Sequence, residues 1–229
     1  MHTARAHVGS PGGGLRTPEE PDLRRLAAIW LRRRLPSSQG AGRAFRRYLP
    51  RMTELPSLLS RETVYTGRLF NVNLDRLQMP GGVVAFRETL LHPGAVCMVP
   101  VTAEGRLLLV TQYRHAAGKR LLELPAGTLE PGEAPLAAVA RELQEEVGQY
   151  PEEITPLGGF YVAPGYTTEY IHLFVCSNLR ESHLAGDEDE DIEIEVRTAA
   201  EALAAIDFGE ICDAKSVIGI LRWARSLSR

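Results

Sequence analysis

Residues 127–148 read GTLEPGEAPLAAVARELQEEVG, and this stretch decides how the rest of the chain can be interpreted. It opens with Gly127, has Glu133 six residues later, continues into RELQEE at residues 141–146, and closes with Gly148. A proline near the start and a glycine at the end are typical of helix boundaries. The pattern therefore predicts a helix over residues 134–147.

Three glutamates give this helix an acidic face. Glu142, Glu145 and Glu146 stand at i, i+3 and i+4, so their carboxylates lie close together. Like charges that close repel one another, and a hard divalent cation such as Mg²⁺ or Mn²⁺ is their natural counterion because it prefers oxygen ligands. Arg141 lies four residues before Glu145 and can hold it in place. A solvated acidic surface is the alternative interpretation. An apolar face should pack on a sheet through Leu136, Val139, Ala140, Leu143 and Val147.

The spacing of the stretch resembles the Nudix box, G-x5-E-x7-R-E-U-x-E-E-x-G-U, where U is an aliphatic residue. Every position agrees except the last, which Gln149 occupies. The resemblance implies an α/β protein, namely an α/β/α sandwich with a mixed β-sheet and an N-terminal antiparallel strand region. It also implies hydrolysis of a nucleoside diphosphate linked to another group, by attack of a metal-activated water on phosphorus. Mg²⁺ is the expected cofactor, with Mn²⁺ as the alternative.

The same resemblance suggests roles for individual residues. Glu142, Glu146 and the carbonyl of Ala126 are expected to be metal ligands. Glu145 is expected to act with them in catalysis or in holding metal, and Arg141 to support it. The glycines near Ala126 are compatible with a tight loop that lets backbone groups approach a ligand.

Two segments after the box resemble the ADP-ribose pyrophosphatase branch of the family. Pro164 begins a Pro-Gly-Tyr-Thr-Thr-Glu segment and is expected near the substrate, although an ordinary turn would also contain Pro-Gly. The acidic run at 187–191 resembles the loop that carries the catalytic base, with Glu188 as base and Glu190 as metal ligand. The two roles could be exchanged. A carboxylate beside a metal-bound water can accept its proton without a large pKa shift, whereas a solvated acidic loop is the alternative.

Before the box, the segment Gln-Tyr-Arg at 112–114 ends an apolar strand and resembles the family's Q-x-R pattern. Arg114 is the candidate for binding substrate phosphate, because a guanidinium can grip two oxygens at once; a solvated strand-end arginine is the alternative. Glu123 is a candidate substrate contact. The expected reaction converts ADP-ribose to AMP and ribose 5-phosphate. Alternatives are another nucleotide sugar, a dinucleotide, or a non-catalytic ADP-ribose-binding regulator.

Charge divides the chain of 229 residues into two parts. Residues 1–51 contain 11 Arg, no Lys and three acids, whereas residues 52–229 carry a net charge of −11. We expect a basic extension at 1–51 that is disordered or not part of the native protein, and a Nudix domain at 52–229. A short basic amphipathic helix is predicted at 23–31. This helix could contact a membrane or nucleic acid, or it could pack on the domain or on a partner chain. It could also lie outside the native protein, since Met52 resembles a natural start of translation. A transit peptide is also compatible with the composition.

Apolar alternation and turn residues predict the remaining elements. Two hairpins are expected, one at Pro80-Gly81-Gly82 and one at Glu104-Gly105. The predicted strands are 64–77, 83–91, 95–101, 106–113, 155–162, 170–176 and 192–196, and the predicted helices are 198–206 and one that follows Asp213 as N-cap.

Cysteine usage and hydropathy bear on the cell compartment and on partners. The three cysteines have no CxxC pairing, so we expect a reducing cytoplasm and no structural zinc. Two of them, Cys97 and Cys176, lie in predicted strands and are expected to behave as small apolar residues. No apolar run is long enough for a membrane span. The resemblance implies a homodimer with N-terminal strands from 64–91 crossing to the partner, and a nucleoside diphosphate as ligand. A nucleic-acid partner is not expected, except in the alternative of a regulator whose basic N-terminal segment contacts nucleic acid.

Overall fold

The computed structural model describes residues 55–186 and 191–227. Their strands are β1 (Ser57–Thr66), β2 (Asn71–Gln78), β3 (Val84–Leu91), β4 (Ala95–Pro100), β5 (Leu107–Arg114), β6 (Lys119–Glu123), β7 (Ala126–Thr128), β8 (Gln149–Tyr161), β9 (Tyr170–Glu181) and β10 (Glu193–Arg197). Their helices are α1 (Pro135–Glu146), α2 (Ala199–Asp207) and α3 (Ala214–Leu227), with a 3-10 turn at His115–Ala117. The predicted helix at 23–31, the domain boundary after residue 51 and the acids at 187–190 lie outside the described residues and stay predictions.

The strands form three sheets. The order β1-β2-β3 gives an antiparallel N-terminal sheet, and β10-β5-β6 gives a second antiparallel sheet. The third sheet, β7-β4-β9-β8, is mixed, because β4 runs parallel to β9 and antiparallel to β7. The expected α/β class, the mixed sheet and the N-terminal antiparallel region are confirmed.

Strand β4 is buried on both faces and separates two hydrophobic cores. Because side chains alternate along a strand, one set of its residues faces α2 and α3, and the other set faces α1. The first core contains Ala95, Cys97, Val99, Ala202, Ile220 and Trp223. The second contains Val96, Met98, Ala138, Val139 and Leu143. Helices therefore cover both sides of the two sheets that contain β4 and β5, which confirms the three-layer α/β/α architecture.

Two strand predictions are wrong, and two others are too short, because β8 begins at residue 149 instead of 155 and β9 continues to residue 181 instead of 176. The segment 64–77 is two strands, because a turn intervenes in which Gly67 donates its backbone N–H to the carbonyl of Phe70 at 3.0 Å. The turn at 104–105 forms, with Thr102 donating its N–H to the carbonyl of Arg106 at 2.8 Å. Beyond the turn the segments pair only at a bridge between Val101 and Leu107, because β4 and β5 lie in different sheets. The physical reason is that β4 takes β9, far along the chain, as its partner.

The helix predictions agree more closely with the structure. Helix α1 ends before Gly148, whose φ of +67° is the left-handed conformation that glycine adopts most easily. Thr198 and Glu201 form a capping box at α2, and Asp213 accepts the backbone N–H of Ser216 at 3.1 Å at the start of α3. The apolar face of α1 differs from the prediction, because Leu136 is 54% exposed and Ala140 lies outside the core, whereas Ala138 is buried in it.

Among residues 55–186 and 191–227, none of the helices has the length and apolar character needed to cross a membrane.

The hairpin at 79–83 is confirmed, with Met79 donating its N–H to the carbonyl of Val83 at 2.8 Å.

Candidate active site

The box helix α1 turns two carboxylates inward, toward the short strand β7. Glu142 and Glu146 are 9% and 6% exposed. Glu146 Oε2 accepts the backbone N–H of Ala126 at 3.0 Å. The Glu142 carboxylate occupies the space in which a β-carbon at residue 127 would lie, so only glycine permits this approach of helix and strand. The two carboxylates therefore converge on the backbone of Ala126 and Gly127.

Arg141 connects the acidic residues of the box. Its Nη1 lies 2.8 Å from Glu142 Oε1 and donates to Glu145 Oε2 at 2.9 Å, which is the contact expected from the sequence. Its Nε and Nη2 donate to the two oxygens of Glu133, each at 3.0 Å, and Nη2 also reaches the carbonyl of Thr128 at 3.3 Å. Hydrogen bonding from Arg141 holds the pKa of Glu133 below its usual range, and bonding to Glu133 raises the pKa of Arg141. Arg141 thus orients three carboxylates through its contacts with Glu133, Glu142 and Glu145.

The donor atoms at this place have the chemistry that a hard divalent cation prefers. Glu142 and Glu146 supply carboxylate oxygens, the backbone of Ala126 adjoins them, and the space kept clear at Gly127 lets them meet. In the described part of the chain, no three His, Cys, Asp or Glu side chains converge closely enough to hold a metal ion by themselves. The described residues therefore fit part of a cation site.

A cavity of about 470 Å³ opens beside these carboxylates. Its floor includes the backbone of residues 126–128, which also contacts Glu142 and Glu146. Charged side chains line one side, namely Arg114, Glu123 and Lys215. Apolar and aromatic side chains line the other, namely Leu69, Phe70, Val162 and Tyr166. The cavity thus has a charged end with Arg114, Glu123 and Lys215, and an apolar side whose lining also includes the ionisable residues His92 and Glu169.

Arg114 and Glu123 are paired at the charged end. Glu123 is 1% exposed, and Arg114 donates to Glu123 Oε2 from Nη2 at 2.7 Å and from Nε at 3.1 Å. Burial opposes the charged form of Arg114, but bonding to Glu123 more than offsets this and raises the pKa of Arg114. The Nε–Nη2 edge of the guanidinium is used on Glu123, which leaves the edge formed by the two Nη atoms for a ligand.

Sequence reasoning missed Lys215 as a member of the site. Its Nζ lies 2.6 Å from Glu123 Oε2 and 3.0 Å from Asp213 Oδ2. Asp213 was interpreted as a helix cap alone, whereas its carboxylate also binds this lysine. Glu123 and Lys215 are 92 residues apart, so spacing along the chain carries no signal of their contact.

The segment after β8 reaches the cavity with different residues from the one expected. Pro164 is exposed and is not among the residues lining the cavity, whereas Val162, Tyr166 and Thr167 are. The segment is tied to β3, because Leu90 donates its N–H to the carbonyl of Tyr166 at 2.7 Å. The turn that contains Pro164 thus shapes the wall of the cavity through its neighbours.

Glu188 and Glu190 lie outside the described residues, but the chain on each side of them is described. On one side, Leu184 donates its N–H to the carbonyl of Gln144 in α1 at 3.2 Å. On the other, Arg120 donates to Asp191 Oδ2 at 2.7 Å and to Glu193 Oε1 at 2.9 Å. Both flanks are therefore attached to elements of the site, and the roles of the two glutamates stay predictions.

Comparison with known proteins supplies a family. The family model described as NUDIX domain matches residues 91–215, which include the box helix, the cavity's charged end and Lys215. ADP-ribose pyrophosphatase of Bacillus subtilis (strain 168) is 34% identical over 164 residues, covering 71% of this chain and 89% of that protein.

Two further similarities broaden the comparison. The methanol dehydrogenase activator of Bacillus methanolicus is 38% identical over 161 residues, covering 69% of this chain and 87% of that protein. A crystal structure of ADP compounds hydrolase superposes with a TM-score of 0.70 at 27% identity, covering 78% of this chain and 97% of the other. The matches thus include both hydrolases and a protein named as an activator.

Proposed function

The chain belongs to the NUDIX domain family and is a Nudix pyrophosphohydrolase; from this premise we propose that it hydrolyses the diphosphate of ADP-ribose, with Mg²⁺, to AMP and ribose 5-phosphate. One observation carries the proposal. The buried carboxylates of Glu142 and Glu146 meet the Ala126–Gly127 backbone, and that backbone forms the floor of a cavity with Arg114 in its wall.

The proposed cation is held by Glu142, Glu146 and the carbonyl of Ala126, with Glu190 as a further ligand and Mn²⁺ as an alternative ion. Such an ion neutralises diphosphate charge and lowers the pKa of a bound water. Glu188 accepts the proton of the attacking water. Glu145 acts beside the ligands from the same face of α1, where Arg141 holds it at 2.9 Å.

Arg114 is proposed to orient the diphosphate. Glu123 fixes the guanidinium through one edge, so the edge formed by the two Nη atoms is presented without further cost in side-chain entropy. Two parallel N–H donors match two oxygens of one phosphate group. Glu123 therefore acts on the substrate through Arg114, and the turn at Pro164 acts through the residues that it places in the wall.

A second copy of the chain is the proposed partner, and the cytoplasm is the proposed compartment. All ten residues of the edge strand β1 are exposed, so neither face of this strand is covered by the rest of the described chain. Apolar side chains on its sheet are exposed as well, including Leu58, Val64, Tyr65, Val84 and Phe86. An apolar sheet of this kind is typical of a protein interface, which supports a homodimer. The three free cysteines, two of them buried, are compatible with a reducing compartment.

A regulatory role is the second candidate, because a relative at 38% identity is named methanol dehydrogenase activator. A regulator that acts by binding alone would not need turnover. Other nucleotide sugars and dinucleotides are alternative substrates for the same chemistry.

The deciding experiment is product analysis by anion-exchange chromatography after incubating the purified protein with ADP-ribose and Mg²⁺. Glu146→Gln is the test variant, since glutamine still accepts the Ala126 N–H but carries no charge. Glu153→Gln is the matched control, because Glu153 is exposed on β8 and bonds Ser177. We expect AMP from the wild type and from the control, and a loss of about 100-fold or more in Glu146→Gln.

Other outcomes contradict parts of the proposal. Equal AMP release by Glu146→Gln would overturn the metal assignment. No AMP from the wild type, with turnover of another nucleotide sugar or dinucleotide under the same conditions, would overturn the substrate. ADP-ribose binding without turnover of any compound would favour the regulator.

A further inference from the structure

Lysine is rare in this chain. Of 26 basic Lys and Arg residues, only Lys119 and Lys215 are lysines. Lys119 is exposed on β6. The side chain of Lys215 is 12% exposed, and it lines the cavity. Lys215 is therefore a largely buried cation in the wall of the cavity that is proposed to hold the substrate.

The surroundings of Lys215 leave its ammonium group with capacity for a ligand. Lys215 Nζ donates to two carboxylate oxygens, Glu123 Oε2 at 2.6 Å and Asp213 Oδ2 at 3.0 Å. An ammonium has three N–H donors in a tetrahedral arrangement, and two carboxylates account for two of them. Since the side chain also lines the cavity, the third N–H can be directed toward a ligand there.

Lys215 is a stable cation at neutral pH. Burial favours the neutral amine, but the carboxylates of Asp213 and Glu123 more than offset this and raise the pKa of Lys215 above its usual value. Arg114 also binds Glu123, so two cations face two carboxylates at this end of the cavity. A diphosphate would meet both cations already ordered.

Helix preferences do not explain a lysine at this position. Lys215 lies in the first turn of α3, where the helix dipole disfavours a positive charge. Asp213 compensates as the N-cap residue, through its bond to Ser216. A residue that opposes its local helix preference is more readily explained by a function than by stability.

We propose that Lys215 is a substrate-binding residue, whose third N–H donates to a phosphate oxygen of the nucleoside diphosphate beside Arg114. Arginine would not replace it fully, because the five donors of arginine lie in one plane, whereas a tetrahedral ammonium can serve two carboxylates and a phosphate in three directions. The inference rests on the proposed function in that the cavity holds a nucleoside diphosphate.

The test is calorimetric binding of α,β-methylene ADP, whose phosphate–carbon link resists hydrolysis, in the presence of Mg²⁺. Lys215→Met removes the charge with little change in length, and Lys119→Met is the matched control at the other lysine. Loss of a charged hydrogen bond should raise the Kd of Lys215→Met on the order of 10- to 100-fold, with no more than about a twofold change in Lys119→Met. Lys215→Arg should recover part of the lost affinity.

Steady-state kinetics with ADP-ribose distinguishes contact from positioning. A contact present in both ground and transition states raises KM and leaves kcat nearly unchanged, which is the expected result for Lys215→Met. Wild-type affinity in Lys215→Met would overturn the inference, as would a loss confined to kcat at unchanged Kd. If Lys215→Met does not fold, Lys215→Gln is measured in its place, with the same two outcomes deciding.

The two proposals fail in different ways. Absence of ADP-ribose hydrolysis by the wild type would overturn the proposed substrate, while binding of α,β-methylene ADP would still decide the role of Lys215. Absence of α,β-methylene ADP binding by the wild type would overturn the inference about Lys215, whatever the turnover of ADP-ribose.

Discussion

The carboxylate of Glu142 fills the space that a β-carbon on Gly127 would need. The two residues belong to different elements, α1 and β7, and their contact brings the box helix against the floor of the cavity. The glycine at the start of the sequence motif is therefore required by the glutamate fifteen residues later, and the two should be considered as one unit.

Gly127→Ala should lower kcat/KM on the order of 100-fold, because the new methyl group displaces the Glu142 carboxylate from its place. Titration of activity against Mg²⁺ should show a higher concentration for half-maximal rate. Gly165→Ala is the steric control, since a β-carbon there meets nothing within 4 Å. Wild-type kinetics in Gly127→Ala would show that the close contact between Gly127 and the Glu142 carboxylate is not needed for activity.

Arg141→Lys should weaken the cation site about 10- to 100-fold, because a lysine cannot hold Glu133 through one edge and Glu142 and Glu145 through another nitrogen. The measurement is Mg²⁺-dependent activity together with Mn²⁺ binding followed by electron paramagnetic resonance. The exposed Arg106, changed to lysine, serves as control. Unchanged Mn²⁺ affinity in Arg141→Lys would show that these contacts do not position metal ligands.

The pair of Glu133 and Arg141 should make stability depend on acidity in a defined direction. Since hydrogen bonding from Arg141 lowers the pKa of Glu133 in the folded state, the contribution is fully present above the ordinary glutamate pKa of about 4.3. It is lost as the pH falls through the lower folded-state pKa. The Tm difference between wild type and Glu133→Gln should be about 2–4 °C at pH 7 and should shrink below about pH 4. A difference that grows on acidification would refute the assignment.

Ser216→Ala should reduce the free energy of unfolding by about 1–3 kcal/mol. Ser216 is fully buried, and its Oγ accepts the backbone N–H of Leu124 at 2.7 Å, so alanine would leave that N–H without its partner. Urea denaturation measures the change. Ser226→Ala on the same helix is the comparison, because Ser226 only donates to the carbonyl of Trp223 and should cost less. Equal costs for the two serines would contradict this explanation.

Phe86→Glu should raise the dimer dissociation constant at least about tenfold, because it places a charge on the apolar N-terminal sheet, where Phe86 is 57% exposed. Analytical ultracentrifugation over a concentration series measures this. Phe208→Glu is the matched control, since Phe208 is 89% exposed beyond the end of α2. A wild-type protein that sediments as a monomer throughout would remove the basis of the homodimer proposal.

Local signals in the sequence were enough for elements whose determinants lie within a few residues. Gly148 and Asp213 end and begin helices as expected, because caps act on their own backbone neighbours. The acidic face of α1 was also predicted, since helical spacing alone brings Glu142 and Glu146 together.

Distant pairing could not be predicted in the same way. The turn at 104–105 is a valid local signal, yet β4 pairs with β9, and no pattern near Glu104 carries that information. The strands β6 and β7 were missed because each is short. Each is extended only because it pairs with a neighbouring strand, β5 or β4, and not because of a pattern in its own sequence. Lys215 was missed for the same reason, as its place depends on how α3 packs.

The contact between Glu123 and Lys215 spans 92 residues, and it has a consequence for biosynthesis. Because translation proceeds from the N-terminus, the growing chain contains Glu142 and Glu146 of α1 before it contains Lys215 of α3. Cleavage ahead of residue 214 would leave the Nudix motif intact to any sequence-based or antibody probe, yet would remove Lys215 from the cavity. The substrate contact proposed for Lys215 therefore requires that α3 has already been synthesised.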